Sequence, residues 1–297
     1  MVDDGAGGGG TADTALRRTY RYLRLGVAGT VVAIAVAVTL ESFRGGLLES
    51  ISAYYYTPAR DVLVGALIAA SLGLLALSGR GVQRALLDAA ALLAPLVAFV
   101  PTPTLAAGCG AAPCVPASAH PSVETGVATY LVVGALAVVV AVVIGTRADA
   151  GRAALALTWP SIVLAVAVLT ATWAWWGLAR ASFLGFGHVV AATGFFALLA
   201  VVALIDAGRS DWAPEQPPPR GVRMTYAVVG VLLAVDLTVV IAVVAIMGDD
   251  AMRTPIVFVG EVIALGLFGL YWALQSARTW NSADPRLALS SPRRPRR

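Results

Sequence analysis

Residues 126–144 read GVATYLVVGALAVVVAVVI, and this stretch decides the fold class. It is 19 residues long and contains no charged side chain. A helix needs roughly 20 such residues to cross a bilayer core about 30 Å thick, whereas a strand of a membrane barrel alternates polar with apolar residues. We therefore predict a transmembrane helix at this position.

Seven further apolar runs lie on either side of this stretch. They occupy residues 25–40, 62–77, 85–100, 153–176, 189–205, 226–247 and 256–274. The 297-residue chain is 59% hydrophobic and only 13% charged, with a mean hydropathy of +0.81, so it is too apolar to cover itself with a water-facing surface. The sequence thus predicts an all-α polytopic transmembrane bundle of about eight spans.

The arginines predict how these spans are threaded through the membrane. All 21 basic residues are arginine. With the N-terminus inside, 17 of them fall in the cytoplasm, which is the asymmetry that the positive-inside rule describes. The four that remain outside are Arg44, Arg60, Arg180 and Arg253. We predict that both termini are cytoplasmic, and we attribute the sequence pI near 9.4 to topology rather than to nucleic-acid binding.

The composition of the chain ends predicts three segments. These are a disordered cytoplasmic tail at 1–22, a transmembrane domain at 23–277 and an arginine-rich cytoplasmic tail at 278–297. Because Arg17 and Arg18 precede the first apolar run, that run has the core of a signal peptide as an alternative interpretation. The bias toward Arg, Ala, Val, Leu and Gly indicates a GC-rich bacterial genome, so the predicted location is a bacterial inner (plasma) membrane.

The two cysteines, Cys109 and Cys114, fall in the predicted outer loop between the third and fourth spans. That side of the membrane is oxidising, so we predict a disulfide, with two free thiols as the alternative. A metal site is disfavoured, because two sulfurs need further ligands and only His120 is near in sequence. No metal or cofactor is predicted.

Ionisable side chains inside spans cost about 2.5–3.5 kcal/mol on insertion scales and therefore mark candidate sites. Asp236 lies near the middle of the seventh span and is a candidate proton relay. Glu261 lies in the outer part of the eighth, about 9 Å below the surface at 1.5 Å per residue. Asp88, which Arg84 one turn earlier can neutralise, and Asp206, expected to be solvated at the inner boundary, are interpreted as structural.

The predicted threading brings polar residues from three distant parts of the chain to the outer face. They lead into the second span, open the sixth or lie in the eighth, and they are Ser52, Tyr54, Tyr55, Tyr56, Arg60, Asp61, His188 and Glu261. A carboxylate beside a histidine or an arginine in low dielectric makes an acid/base pair or an anion clamp. The alternative is an interfacial aromatic belt with one ion pair that ties helices together.

The segment ISAYYYT at 51–57, followed by RDVLVGAL at 60–67, resembles the signature of a widespread family of bacterial multi-pass membrane proteins of unknown function. Similar pieces are GHV at 187–189 and the region around Glu261, although Leu63 stands where the family pattern has Phe. The resemblance implies a membrane protein without assigning an activity, and it implies that the fourth and fifth spans are an inserted pair. The residues that it selects are Tyr54, Tyr55, Tyr56, Asp61, His188 and Glu261.

The leading functional expectation is a protein that binds a lipid headgroup or small ligand in an outer-face pocket. It rests on the shared depth of His188, Glu261 and Arg60. The expected partners are therefore membrane lipids and a small-molecule or lipid ligand, with no nucleic acid, and the sequence sets no oligomeric state.

Two other functions remain open, and with them the question whether the chain is an enzyme. One is a proton-coupled transporter that uses Asp236, since carboxylates inside membranes often relay protons. The other is a membrane hydrolase in which His188 works with Asp61 or Glu261. Ser52 is a conceivable nucleophile for it, although no nucleophile-elbow motif surrounds this serine.

Overall fold

The computed structural model describes residues 8–78, 81–105, 109, 112–147, 151–208, 219–278 and 280. Within them, eight helices are long and apolar enough to cross a membrane. They are α1 (Gly8–Gly45), α2 (Arg60–Leu77), α3 (Gly81–Phe99), α4 (His120–Arg147), α5 (Gly151–Leu178), α6 (Arg180–Gly208), α7 (Arg220–Met247) and α8 (Ile256–Arg278). Each predicted apolar run coincides with one helix and the described residues form no strand, so the all-α transmembrane bundle is confirmed.

Helix α1 begins well before the predicted membrane boundary. The expectation of a disordered tail through residue 22 is wrong from Gly8 onward, because the chain is helical there. Extending an existing helix costs far less than nucleating one. In addition, Arg21 Nε donates a hydrogen bond to the backbone oxygen of Trp280 at 2.6 Å, which holds this end of α1 against the chain that follows α8. Residues 1–7 and the tail beyond Trp280 lie outside the described residues.

Six of the helices form a closed ring. Around it, α1 packs on α2, α2 on α3, α3 on α6, α6 on α7 and α7 on α8, and α8 returns to α1. Helices α4 and α5 pack on each other and on α3, and α5 also packs on α6, outside the ring. The ring therefore closes without the two spans that the family resemblance marks as an inserted pair.

The interior of the ring is filled by large apolar side chains. Phe195 and Leu199 of α6 meet Phe268 of α8, Leu233 of α7 and Leu74 of α2, and all five are at most 4% exposed. The rings of Phe195 and Phe268 lie 5.8 Å apart, centre to centre. The middle of the bundle is thus a packed apolar core.

We call the end of the ring that carries the disulfide loop the outer end. Cys109 and Cys114 form the predicted disulfide there, with their Cα atoms 5.3 Å apart. The connection between α1 and α2 also lies at this end and contains a short 310 helix, Ser52–Tyr56. Tyr56 donates its hydroxyl to the Thr102 carbonyl at 2.8 Å, which joins this connection to the loop after α3.

Candidate functional site

Three of the predicted site residues meet at the outer end of the ring. His188 Nε2 of α6 lies 2.8 Å from Ser52 Oγ, and Ser52 Oγ lies 2.7 Å from Glu261 Oε1 of α8. The serine hydroxyl therefore connects a histidine from one helix to a carboxyl group from another. We call Ser52, His188 and Glu261 the outer cluster.

Glu261 also fixes the position of the serine through the backbone. Its Oε2 accepts hydrogen bonds from the N–H groups of Ile51 and Ser52, which open the 310 helix. Such N–H groups have no partner inside their own helix, so an acceptor on a neighbouring element satisfies them. One carboxyl group of α8 thereby holds both the main chain and the hydroxyl of Ser52.

His188 is oriented from its other ring nitrogen. Nδ1 lies 2.7 Å from the carbonyl oxygen of Val100, and the histidine is only 5% exposed. The Val100 carbonyl is available because α3 ends at Phe99 and Pro101 follows. A residue before proline is disfavoured in the helical conformation, and proline has no N–H with which to continue the helix.

Counting protons limits the states of the outer cluster. A carbonyl oxygen only accepts, so Nδ1 of His188 carries a proton, and Ser52 has a single hydroxyl proton for two hydrogen bonds. The second proton therefore lies either on His188 Nε2 or on Glu261 Oε1. The cluster has zero net charge in both arrangements, which suits a site enclosed by apolar helices.

No protein-family model, curated protein or solved structure matches this chain. The family resemblance at 51–67 stays a prediction.

The tyrosines beside Ser52 face different parts of the outer end. Tyr54 is fully buried, and its hydroxyl lies 2.5 Å from Ser42 Oγ of α1. Tyr55 accepts a hydrogen bond from the guanidinium group of Arg60 at 2.9 Å, and the same guanidinium lies 4.4 Å from the centre of the Tyr55 ring. Arg60 thus packs on Tyr55, outside the outer cluster, while Asp61 is exposed in the first turn of α2.

Burial sets the protonation of Tyr55 and Tyr56, which lie in the 310 helix outside the spans. It raises the pKa of Tyr55 above the usual value, although the nearby Arg60 guanidinium acts in the opposite direction. Burial likewise raises the pKa of Tyr56, and the neighbouring Tyr55 and Glu49 add to the rise. Both phenols therefore remain neutral hydrogen-bond donors at physiological pH.

The candidate proton relay Asp236 lies apart from the outer cluster. Its carboxylate sits beside Gly260 of α8, where an added Cβ would be 3.6 Å from Oδ1. This neighbour places Asp236 level with the residue that precedes Glu261 on α8. Asp236 is half-buried, and no residue of the described chain donates a hydrogen bond to it.

The sequence analysis missed a second polar centre, at the inner end of the ring. Asp206 is 1% exposed, so the expectation that it is solvated is wrong. Its carboxylate accepts hydrogen bonds from Gln83 of α3 at 3.0 Å and from Tyr271 and Gln275 of α8 at 2.7 and 2.9 Å. The sequence signal that could have revealed this centre is a polar residue near the inner end of the third, sixth and eighth spans, namely Gln83, Asp206 and Gln275. By contrast, the predicted pairing of Asp88 with Arg84 is confirmed at 3.5 Å.

The ligands for a metal ion are not assembled in the described part of the chain. It contains no group of three or more His, Cys, Asp or Glu side chains that would hold one. The chemistry available at the outer cluster is therefore that of a hydroxyl, an imidazole and a carboxyl group.

Proposed function

We propose that this protein is a membrane-embedded serine hydrolase that cleaves an ester or amide at the extracytoplasmic surface of its membrane. The observation that carries the proposal is the 2.8 Å contact between Ser52 Oγ and His188 Nε2, with His188 Nδ1 held by the Val100 carbonyl. A nucleophile within hydrogen-bond reach of a base, which a third group orients in turn, is the diagnostic arrangement of nucleophilic catalysis.

The proposed reaction uses the arrangement in which Ser52 donates its proton to His188. Ser52 Oγ bonds to the carbonyl carbon of the substrate while its proton passes to His188 Nε2. The imidazolium gives this proton to the departing alcohol or amine, and an acyl group remains on Ser52. A water molecule then attacks the acyl carbon while His188 takes its proton, the bond between the acyl carbon and Ser52 Oγ breaks, and His188 returns the proton to Oγ as the acid leaves.

Glu261 has two tasks in this proposal. Its Oε2 keeps the 310 helix and thus Ser52 in place through the N–H groups of Ile51 and Ser52. When its Oε1 carries the second proton of the cluster, Glu261 is a hydrogen-bond donor beside the nucleophile. As Ser52 Oγ bonds to the substrate, this donor shifts from Oγ to the substrate carbonyl oxygen and stabilises the negative charge that develops there.

A fluorophosphonate probe, which phosphonylates activated serines, tests the proposal on the full-length protein in membranes. We expect wild type to be labelled, Ser52→Ala to be unlabelled and His188→Gln to react at least about 100-fold more slowly, since a general base contributes 10²–10⁴-fold. The matched control is Ser182→Ala, because Ser182 is an exposed serine at the outer end of α6. Absent labelling of wild type, or equal labelling of Ser52→Ala, would overturn the proposal.

One observation favours binding of a lipid headgroup or small ligand without chemistry as a second candidate. The backbone N–H groups nearest Ser52 both donate to Glu261, so neither is free for a substrate oxyanion. This candidate predicts a lipid or small molecule that copurifies with wild type and is lost in both Ser52→Ala and Glu261→Ala. Analysis of extracts by mass spectrometry, alongside the fluorophosphonate labelling, separates the two candidates.

We also propose that the chain lies in a bacterial plasma membrane with both termini in the cytoplasm. The distribution of arginines supports this threading, because 17 of 21 fall on one side of the eight spans. In this orientation the outer cluster faces the extracytoplasmic side. The bias toward Arg, Ala, Val, Leu and Gly supports the bacterial origin.

A further inference from the structure

The inner end of α1 and Trp280, which follows α8, enclose a cleft that is separate from both polar centres. Its volume is about 440 Å³. The residues that line it are Arg17, Arg18, Arg21, Tyr22, Leu25 and Trp280. The ionisable lining residues are three arginines and one tyrosine, so the charged groups of the lining are all positive.

The lining residues of α1 form an ordered stripe along the helix. Arg17, Arg21 and Leu25 follow one another at intervals of four residues, and Arg18 and Tyr22 flank them on the same side. At 1.5 Å per residue, Leu25 lies about 12 Å deeper in the membrane than Arg17. The stripe therefore runs from charged through aromatic to aliphatic, which is the order of headgroup, interface and acyl chain in a phospholipid.

Trp280 forms the opposite wall of the cleft. The guanidinium group of Arg21 lies 5.0 Å from the centre of the indole ring, and Arg21 Nε donates to the Trp280 backbone oxygen at 2.6 Å. The indole remains 40% exposed, as is usual for tryptophan at the level of lipid headgroups. These contacts hold an arginine and an aromatic side chain in a fixed relation at the membrane surface.

We propose that this cleft binds the phosphate headgroup of an anionic phospholipid from the inner leaflet. Guanidinium groups match phosphate oxygens with paired hydrogen bonds, and the anionic inner leaflet attracts arginines near its surface. Arginines that only set topology need neither a cleft nor an ordered stripe. The convergence of Arg17, Arg18 and Arg21 on one cavity beside Trp280 supports a specific lipid site.

The test measures retention of phosphatidylglycerol against phosphatidylcholine by native mass spectrometry of the full-length protein. We expect wild type to prefer phosphatidylglycerol by at least about ten-fold, because each arginine near an anionic surface contributes roughly five-fold. The triple variant Arg17→Gln, Arg18→Gln, Arg21→Gln should lose this preference. The matched control is Arg220→Gln with Arg223→Gln, which removes two predicted cytoplasmic arginines outside the cleft.

A second variant, Trp280→Ala, keeps every charge and hence the threading signal. We expect it to weaken phosphatidylglycerol retention several-fold. If Trp280→Ala matches wild type while the triple variant loses lipid, general charge attraction explains the result and the site is overturned. Equal retention of inorganic phosphate and of phosphatidylglycerol by wild type would also overturn it, because the proposal requires the glycerol and acyl contacts with Tyr22 and Leu25. None of these readouts depends on Ser52, so the hydrolase proposal stands or falls separately.

Discussion

At the level of single residues, Glu261 explains how a polar loop is anchored to the end of an apolar bundle. Its Oε2 accepts from two backbone N–H groups, and its Oε1 contacts a hydroxyl that also reaches His188. Without Glu261, the N–H groups of Ile51 and Ser52 would be partly buried with no acceptor, at a cost of about 1–3 kcal/mol each. Glu261 is therefore an anchor of the outer end whether or not the cluster performs chemistry.

The first prediction compares Glu261→Gln with Glu261→Ala. A glutamine oxygen replaces Oε2 as the acceptor, and its amide donates to Ser52 Oγ, which leaves the serine proton to His188. We expect the Gln variant to unfold within a few degrees of wild type, and the Ala variant to lose about 2 kcal/mol of stability or more. Thermal unfolding in detergent measures both.

The control for this pair is Glu124→Ala. Glu124 forms an exposed ion pair with Arg180 at the same end of the bundle, and such pairs contribute about 0–1 kcal/mol. Equal destabilisation by Gln and Ala at position 261 would contradict the hydrogen-bond assignment, because only Ala removes both the acceptor and the contact with Ser52.

The second prediction concerns Asp236. This carboxylate is half-buried on α7, and no described residue donates a hydrogen bond to it, whereas asparagine has the same shape and no charge. We expect Asp236→Asn to raise thermal stability and to leave fluorophosphonate labelling of Ser52 unchanged, because charged groups in hydrocarbon are costly. A loss of stability would contradict this expectation. The loss of a proton-coupled uptake activity would assign Asp236 a role in transport.

The position of each residue relative to the ends of the predicted spans was enough to predict that Ser52, His188 and Glu261 share one end of the bundle. Sequence could not predict which way side chains point: in a helix of three residues per turn, neighbours diverge by about 120°, so Tyr54 faces α1 while Ser52 faces α6 and α8. The role of the Val100 carbonyl was equally hidden, because a backbone group leaves no mark in the sequence beyond the proline that follows it.

At the level of elements, helices α6 and α7 pack closely because of Gly230. A Cβ at this position would lie 2.7 Å from Leu204 Cγ and 2.9 Å from the Ala200 backbone oxygen. The backbone oxygen cannot move without displacing α6. Close approach of two backbones at a small residue is a common way to associate helices in a membrane, where apolar burial gives little driving force.

The third prediction follows from this contact. Gly230→Ala should destabilise the protein by about 1–3 kcal/mol, the usual cost of adding a methyl group to a packed interface. Gly266→Ala in α8 is the matched control, since a Cβ there would meet nothing within 4 Å and alanine favours the helix. Thermal unfolding of the two variants side by side should give opposite signs, and a neutral Gly230→Ala would mean that α6 and α7 separate easily.

Helix positions were predicted well and helix ends less well. Hydropathy locates the segment that lies in hydrocarbon, but it contains no information on where a helix stops in water. Helix α1 thus begins at Gly8, and α7 begins at Arg220, six residues before the predicted apolar run. The missed centre at Asp206 has a related origin, because only the ring brings Gln83 and Tyr271 to this carboxylate.

At the level of the whole molecule, α6 and α8 carry both polar centres. His188 and Asp206 lie 18 residues apart on α6, which is five full turns and about 27 Å, so they face the same direction from opposite ends. The apolar core around Phe195 and Phe268 fills the space between them. A through-going polar path would require these two rings to separate, and the outer cluster is therefore best regarded as an independent site.

The fourth prediction tests the orientation on which both proposals depend. Cys109 and Cys114 are the only cysteines, and their disulfide lies at the same end as the outer cluster. After treatment of intact cells with a membrane-impermeant reductant, we expect an impermeant maleimide to label wild type. A variant with both cysteines replaced by serine and with Arg220→Cys should be labelled only after the cells are permeabilised, because residue 220 opens α7 at the opposite end. The reverse pattern would place Ser52 and His188 in the cytoplasm and the cationic cleft at the outer leaflet, which would remove the anionic inner surface that the lipid proposal requires.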